Sequence, residues 1–337
     1  MTSTWKGTVA PMTNLWDSAI ELINNADSIV ISGHTNPDGD ALGSVLGLGL
    51  ALRRHYSLKR VHLLLADDAR VPRVYRFLAG SDELVPAARY ADDPDLFIAV
   101  DAPTLERLQD SSVVANRAGA RLVIDHHPAR EEFADVVVRD PSAAATAVLV
   151  SGLLEAAHIK LEPAIAQCLF CGLVTDTGRF QYQNADPAAF ACAARLVEAG
   201  ADPARVALEV YQSQRLEYLH LESIVMGRIR TAADGRVAYS YATADDLAAC
   251  SVGHDECDGL IDAVRQVEGA EVCLFLKDGR TPGIVRGNLR SKVDLDVSVV
   301  AARHDGGGHA AAAGFSFKGT VEEALDTVLP ELIALVQ

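Results

Sequence analysis

The chain has 337 residues, 49% of them hydrophobic and 23% charged, so it is long enough for two globular domains with buried cores. Its 46 Asp and Glu against 30 Lys and Arg give a formal net charge of -16. Proteins that bind long nucleic acids without sequence preference need a basic surface, so this charge balance argues against that class.

The first half of the chain alternates short apolar runs with helical patterns, which is typical of a doubly wound, mostly parallel α/β sheet. Residues 1–12 are predicted to be a loose leader. Strands are predicted at 28–32, 60–66, 96–100, 121–124 and 136–138. Helices are predicted at 14–26, 41–52 and 72–78, and they predominate from 143 to 196.

The order of elements changes in the last third, which predicts a second, smaller α+β domain. A hairpin over 228–241 is centred on Asp234-Gly235. Further strands are predicted at 272–277, 283–289 and 315–317, helices at 258–266, 297–303 and 321–336, and a glycine-rich turn at 305–308. We therefore predict a first domain over 13–205, a helical linker over 206–224 and a second domain over 225–337.

The turn after the first strand carries an imidazole and two carboxylates, from His34, Asp38 and Asp40. Pro37 delays the start of the following helix, and Gly39 lets the backbone bend the two Asp residues toward one centre. One interpretation is an ordinary Asp-rich turn in which Asp40 caps the helix. The other is half of a metal site, at the sheet edge where α/β proteins bind ligands.

The other strands favour the metal site, because two of them also end in acidic or imidazole side chains. These side chains are Asp101 after one strand and Asp125, His126 and His127 after the next, and Asp176 follows a later helix. Carboxylates crowded together without a cation repel one another. A pair of divalent ions removes this conflict, and ligands of oxygen and nitrogen without thiolate suit Mn²⁺ or Mg²⁺.

The six cysteines predict a reducing, cytoplasmic location. Cys168 and Cys171 form the single C-x-x-C, which we interpret as buried core thiols, with a zinc or redox site as the alternative. No signal-peptide pattern precedes the first strand, and the apolar segment 41–52 is shorter than the ~20 residues that span a bilayer. We therefore expect no association with a membrane.

These motifs together resemble the DHH phosphoesterases over nearly the whole chain. The family's four ordered motifs match His34 to Asp40, Asp101, Asp125-His126-His127, and Asp176 within Thr175 to Gly178. The C-terminal domain resembles the DHHA1 type through its glycine run and the segment Ala312 to Phe315. Within the family, the nano-RNase and 3′-phosphoadenosine-5′-phosphate phosphatase group is the most similar.

The resemblance implies a role for each matching residue. One metal ion would be held by His34, Asp38 and Asp101, and the second by Asp40, Asp101, His126 and Asp176. His127 would contact the scissile phosphate and assist the leaving group, and Asp125 would orient His126 from behind. In the second domain, the substrate's other phosphate would be held by Arg290, Ser291, Gly306, Gly307, Gly308 and His309. The alternative for the glycine run is a flexible turn.

The resemblance also implies the activity: a metal-dependent hydrolase that cuts short oligoribonucleotides to mononucleotides and 3′-phosphoadenosine-5′-phosphate to AMP and phosphate. The expected cofactor is a pair of Mn²⁺ ions, with Mg²⁺ as the alternative. Substrates of one to a few nucleotides would bind in a cleft between the domains. Two alternatives stay open: a phosphodiesterase for cyclic or linear dinucleotide second messengers, and a nucleotide-binding module without catalysis. The oligomeric state is open between a monomer and a homodimer.

Overall fold

The computed structural model describes residues 12–128 and 132–337 and divides into two compact units between Val210 and Tyr211. The predicted leader lies outside the described residues except for Met12, which begins the first helix. The predicted linker over 206–224 includes most of the helix Leu216–Gly227, whose residues Tyr218 and Leu221 belong to a core of the second unit. The domain boundaries proposed from the sequence stay a prediction.

The first unit contains a six-stranded sheet in which every neighbouring pair of strands is parallel. The strands are β1 (Ser28–Ser32), β2 (Arg60–Leu65), β3 (Val85–Pro86), β4 (Leu96–Val100), β5 (Ala120–Asp125) and β6 (Val136–Arg139). They lie in the order β3-β2-β1-β4-β5-β6. This confirms the predicted doubly wound, parallel architecture, although β3 was not predicted.

The strand order reverses between β1 and β4, which are neighbours in the sheet. Both strands are fully buried because both faces of the sheet are covered, and this explains their continuous apolar sequences. Their register places Ser32 opposite Ala99, and that of the next pair places Val100 opposite Ile124. The residues after β1, β4 and β5 therefore emerge at one edge, at the switch point where α/β sheets bind ligands.

Seven α-helices accompany this sheet in the described part of the first unit. They are α1 (Met12–Asn25), α2 (Gly39–His55), α3 (Ser111–Arg117), α4 (Thr146–Ala156), α5 (Pro163–Asp176), α6 (Pro187–Glu198) and α7 (Pro203–Val206). The predicted helix at 72–78 is a single 3₁₀ turn, Arg73–Tyr75.

Helix α2 is buried along almost its whole length and packs closely against α5. A Cβ at Gly43 would lie 2.4 Å from the carbonyl oxygen of Cys168 on α5, so only glycine fits there. Gly49 of α2 faces the sheet instead, where an added Cβ would meet the side chain of Leu63 on β2. Cys168 and Cys171 are fully buried core thiols, as predicted.

The second unit contains a mixed six-stranded sheet with five helices. The strands are β7 (Arg230–Ala232), β8 (Val237–Ala242), β9 (Val272–Asp278), β10 (Ile284–Ser291), β11 (Gly307–His309) and β12 (Ala312–Lys318). They lie in the order β11-β12-β10-β9-β8-β7, and only β8 and β9 are parallel. The helices are α8 (Leu216–Gly227), α9 (Ala244–Cys250), α10 (Ile261–Arg265), α11 (Ser298–Ala301) and α12 (Val321–Leu335).

The predicted hairpin is confirmed as the antiparallel pair β7–β8, but α9 was not predicted. The prediction of a turn over 305–308 is wrong in part, since Gly307 and Gly308 belong to β11, which pairs with β12. Glycine is required there by close strand packing: a Cβ at Gly306 would lie 2.2 Å from the carbonyl oxygen of Gly314. Among the described residues, no helix combines the length and apolar character needed to cross a membrane.

Candidate metal centre

The loop between β1 and α2 brings Asp38 to the helix N-terminus, where its side chain both caps the helix and approaches His34. Oδ1 of Asp38 accepts hydrogen bonds from the backbone N–H groups of Asp40 and Ala41, both at 3.0 Å. Its Oδ2 lies 3.8 Å from Nε2 of His34. The N-cap is therefore Asp38, and the alternative in which Asp40 caps the helix is wrong. The carboxylate of Asp40 is left for other contacts.

A first cluster joins His34, Asp38 and Asp101. Nε2 of His34 lies 3.4 Å from Oδ2 of Asp101. Nδ1 of His34 is 2.8 Å from the carbonyl oxygen of Thr35, which can only accept, and 3.3 Å from Nη2 of Arg107, which can only donate; the shorter contact favours the proton on Nδ1. In the neutral ring, the lone pair of Nε2 then points toward the two carboxylates.

A second cluster joins Asp40, His126 and Asp176. Nε2 of His126 lies 3.5 Å from Oδ2 of Asp176 and 3.9 Å from Oδ2 of Asp40. Nδ1 of His126 is 3.1 Å from the carbonyl oxygen of Ala143, which selects the same tautomer as in His34. Each cluster therefore presents one imidazole nitrogen and two carboxylates.

Asp101 connects the two clusters. Its Oδ2 faces His34, and its Oδ1 lies 3.6 Å from Nε2 of His126. Asp101 is 1% exposed and has a φ of 55°, a left-handed conformation that is rare outside glycine. Such strain is typical of functional positions, and the N–H group of Asp101 is anchored to the carbonyl of Ile124 at 3.0 Å.

The donor atoms of both clusters fit divalent ions. The imidazole-to-carboxylate distances of 3.4 to 3.9 Å mostly exceed normal hydrogen-bond lengths. Two atoms that bind one Mg²⁺-sized ion at about 2.1 Å lie about 3 to 4 Å apart. The set holds carboxylate oxygens and imidazole nitrogens without thiolate, which is the donor chemistry of Mn²⁺ and Mg²⁺.

The pKa shifts of these groups indicate that both clusters favour positive charge. Burial acts to lower the pKa of His34, but the nearby carboxylates of Asp101 and Asp38 outweigh it and raise that pKa to about 10. Burial raises the pKa of Asp40 well above its ordinary value, and the charges of Asp101 and Asp176 add to the rise. For Asp101 burial opposes ionisation, yet His34 and the other imidazoles hold the pKa below its ordinary value. Cations would relieve this repulsion between carboxylates.

His127 lies beside the clusters and is held by Asp125. Oδ1 of Asp125 accepts from both Nδ1 of His127, at 2.9 Å, and its backbone N–H group, at 3.1 Å. The prediction that Asp125 orients His126 is therefore wrong, because the carboxylate turns back to the next residue and His126 uses a backbone carbonyl. The other carboxylate oxygen of the fully buried Asp125 lies 3.4 Å from Nε of Arg139, opposite it on β6.

Sequence reasoning missed the segment 143–147, which leads into α4. Thr146 donates from its hydroxyl to Oδ1 of Asp101 at 3.0 Å and from its backbone N–H to Oδ2 of Asp40 at 2.6 Å. The N–H group of Ala147 donates to Oδ1 of Asp40 at 2.9 Å. The helix starts at Thr146, and Ala145 is its N-cap residue. A threonine in an alanine-rich stretch gives no sequence signal for this role.

The predicted phosphate-binding residues of the second unit lie on β10, β11 and the segment before β11. Arg290 and His309 are both register partners of Ala312, one on each side, so their side chains extend from the same face of the sheet. Nε of Arg290 is buried with no hydrogen-bond partner among the described residues. The hydroxyl of Ser291 donates to the carbonyl of Val293 at 2.7 Å, so Ser291 also holds its own loop.

Two family models match the chain. The model described as the DHH family, N-terminal domain, matches residues 28–173, and the DHHA1 domain model matches residues 234–337. These two matches fall on the first and the second unit respectively.

Similar curated proteins and solved structures cover most of the chain. A bifunctional oligoribonuclease and PAP phosphatase NrnA from Thermus thermophilus is 30% identical over 89% of this chain and 88% of its own. A cyclic-di-AMP phosphodiesterase GdpP from Geobacillus thermodenitrificans is 28% identical over 86% of this chain but 44% of its own. The crystal structure of an exopolyphosphatase-related protein from Bacteroides fragilis superposes with a TM-score of 0.85 at 26% identity, covering 97% of both chains.

Proposed function

The chain belongs to the DHH family of phosphoesterases, and on this basis we propose that it hydrolyses short oligoribonucleotides to mononucleotides and 3′-phosphoadenosine-5′-phosphate to AMP and phosphate. One observation carries the proposal above the others. Two clusters of imidazole and carboxylate groups share the carboxylate of Asp101 at the switch point of the sheet. This is the arrangement that a two-metal phosphoesterase needs.

Two divalent ions, Mn²⁺ in preference to Mg²⁺, would complete the site. When bound, they would lower the pKa of a water molecule and neutralise charge on the phosphoryl group. His34, Asp38 and Asp101 would hold one ion, and Asp40, Asp101, His126 and Asp176 would hold the other.

His127 supplies the proton that the leaving oxygen needs. Its Nδ1–H group is committed to Asp125, so Nε2 is the nitrogen that exchanges a proton with substrate. The buried carboxylate of Asp125 fixes the orientation of the ring through two hydrogen bonds to His127. Thr146 orients the shared carboxylate of Asp101.

The second unit recognises the other phosphate of the substrate. Arg290 and His309 flank Ala312, whose small side chain leaves room for a phosphate between them. A guanidinium offers paired donors that match phosphate geometry. Gly306, Gly307 and Gly308 bring backbone close to the anion, and Ser291 fixes the end of β10. With a net charge of -16, such local contacts favour short substrates over long nucleic acid.

A second candidate function is hydrolysis of cyclic or linear dinucleotides, favoured by the similarity to the cyclic-di-AMP phosphodiesterase. The same centre serves this chemistry, because the scissile group is again a phosphodiester. A nucleotide-binding module without catalysis is disfavoured, since a degenerate site would lack one or more of these imidazole and carboxylate groups and the chain carries all of them. The six cysteines form no disulfide in the described part of the chain, which is consistent with the predicted cytoplasmic location.

The test is a comparison of initial rates with Mn²⁺ on a panel of substrates. The panel contains 3′-phosphoadenosine-5′-phosphate, linear diribonucleotides, cyclic dinucleotides and an RNA of about 25 nucleotides. We expect the first two to be hydrolysed fastest and the long RNA slowest. Preference for the cyclic dinucleotides would select the second candidate, and no hydrolysis of any substrate would contradict both.

A further inference from the structure

Asn184 lies in the segment between α5 and α6, outside every motif that the sequence singled out. Its amide nitrogen donates to two backbone carbonyls, Ala144 at 2.9 Å and Asp176 at 3.1 Å. Both partners can only accept, so the orientation of the amide is fixed by chemistry. One side chain thus connects the end of α5 to the segment that leads into α4.

Both connected segments hold the second cluster. Asp176 supplies a carboxylate of that cluster from the last residue of α5, where helix carbonyls lack partners within the helix. The other segment binds three cluster residues: the carbonyl of Ala143 accepts from His126, and Thr146 donates to Asp40 and Asp101. The length of the Asn184 bridge therefore sets how far Asp176 stands from the groups that Thr146 and Ala143 position.

The bridge itself is anchored by α6. The carbonyl of Asn184 accepts from the N–H group of Asp186, and Asp186 caps α6 by accepting from Ala189 at 2.8 Å. Oδ1 of Asn184 is buried without a hydrogen-bond partner among the described residues. An unsatisfied buried acceptor lowers stability, so a role in stability alone does not account for asparagine at this position.

We propose that Asn184 is a positioning residue for the second metal ion: its amide fixes the spacing between Asp176 and the ligands that segment 143–146 holds. This inference rests on the proposed two-metal function. Groups behind metal ligands typically change metal affinity 10- to 100-fold when they are removed. In the first cluster, His34 and Asp38 make none of these contacts, and the shared Asp101 is reached only through the hydroxyl of Thr146, so the second ion should be weakened selectively.

The experiment measures Mn²⁺ binding to the full-length chain by calorimetry, with electron paramagnetic resonance to detect the coupled ion pair. In Asn184→Ala we expect the second ion to bind about 10- to 100-fold more weakly, the first to bind as in wild type, and the coupled signal to fall. Turnover should return toward the wild-type kcat at saturating Mn²⁺. Gln183→Ala, which changes an exposed neighbour, is the matched control and should bind both ions normally.

Three results would overturn the inference. They are unchanged binding of both ions in Asn184→Ala, equal weakening of both ions with a lower melting temperature of the metal-free protein, and no recovery of kcat with added Mn²⁺. If Asn184→Ala does not fold, Asn184→Leu fills a similar volume without donors and takes its place. A wild-type chain that binds fewer than two ions overturns the proposed function itself, which separates the two failures.

Discussion

Asp101 is the residue on which both clusters depend, because its two carboxylate oxygens face different clusters. Asp101→Asn keeps the side-chain volume but removes the shared charge. We expect loss of the ion pair and a fall in kcat of at least about 10³-fold, since the ions would supply the activated nucleophile. Metal stoichiometry and turnover are measured on the same preparation. Normal turnover with both ions bound would show that Asp101 is not the bridge.

His127 contributes to catalysis without holding metal in this account. His127→Ala should retain both ions and lose about 10²-fold or more in kcat, the usual effect of removing a general acid. The check is Mn²⁺ stoichiometry by elemental analysis beside steady-state kinetics. Should the variant lose its metal, His127 is a ligand and the roles of the two neighbouring histidines must be exchanged.

For individual residues, the sequence predicts which side chains lie close together, because the carboxyl ends of neighbouring parallel strands meet at one edge of the sheet. It does not predict which partner each side chain selects. Asp125 turns to His127 rather than His126 because the backbone places its Oδ1 near the N–H group of His127, a choice of rotamer that no spacing encodes. Thr146 was missed for the same reason, since its contacts depend on where α4 begins.

The packing of α2 against α5 supports the second cluster at the scale of elements. A Cβ at Gly172 of α5 would lie 2.8 Å from Oδ1 of Asp40 and 3.0 Å from Cβ of Ala147. Gly172→Ala should therefore push α5 away from α2 and α4, lower the melting temperature and weaken Mn²⁺ binding.

A matched control for Gly172→Ala is Gly227→Ala, another helical glycine, where an added Cβ meets nothing within 4 Å. The control should be neutral or stabilise the protein by up to about 1 kcal/mol, as at strain-free positions. Thermal unfolding and Mn²⁺ titration of both variants decide the point. If both variants show the same melting temperature and Mn²⁺ affinity, the close contact of Gly172 with Asp40 and Ala147 does not matter for the site.

Hydrophobic patterns predicted the type of an element, helix or strand, where the pattern extended over enough residues. The buried strands β1 and β4 have the predicted bounds, because a continuous apolar run of that length fits a covered parallel strand. The sequence did not predict two short strands. One is β3, which has two residues, and the other is β11, which consists of two glycines and His309. Pairing with β12 forms β11 despite its poor strand propensity.

For the whole molecule, the proposed function assigns catalysis to the first unit and phosphate recognition to the second. Arg290 of the second unit is proposed to read the substrate's terminal phosphate. Arg290→Ala should weaken kcat/KM by about 1.5–3 kcal/mol for each charged hydrogen bond lost, on substrates that carry this phosphate. A small generic phosphodiester, which lacks it, should be hydrolysed almost as before. The measurement compares one diribonucleotide with and without its 5′-phosphate in both proteins, and equal losses on the two would show that Arg290 does not read the phosphate.

The central claim is that two metal ions share Asp101. It is tested most directly by growing crystals with Mn²⁺ and measuring anomalous scattering from manganese. The account predicts two peaks, one among His34, Asp38 and Asp101 and one among Asp40, Asp101, His126 and Asp176. Asp101→Asn crystals should lose both peaks or keep one weak peak. A wild-type map with a single peak, or with peaks away from these residues, would contradict the account.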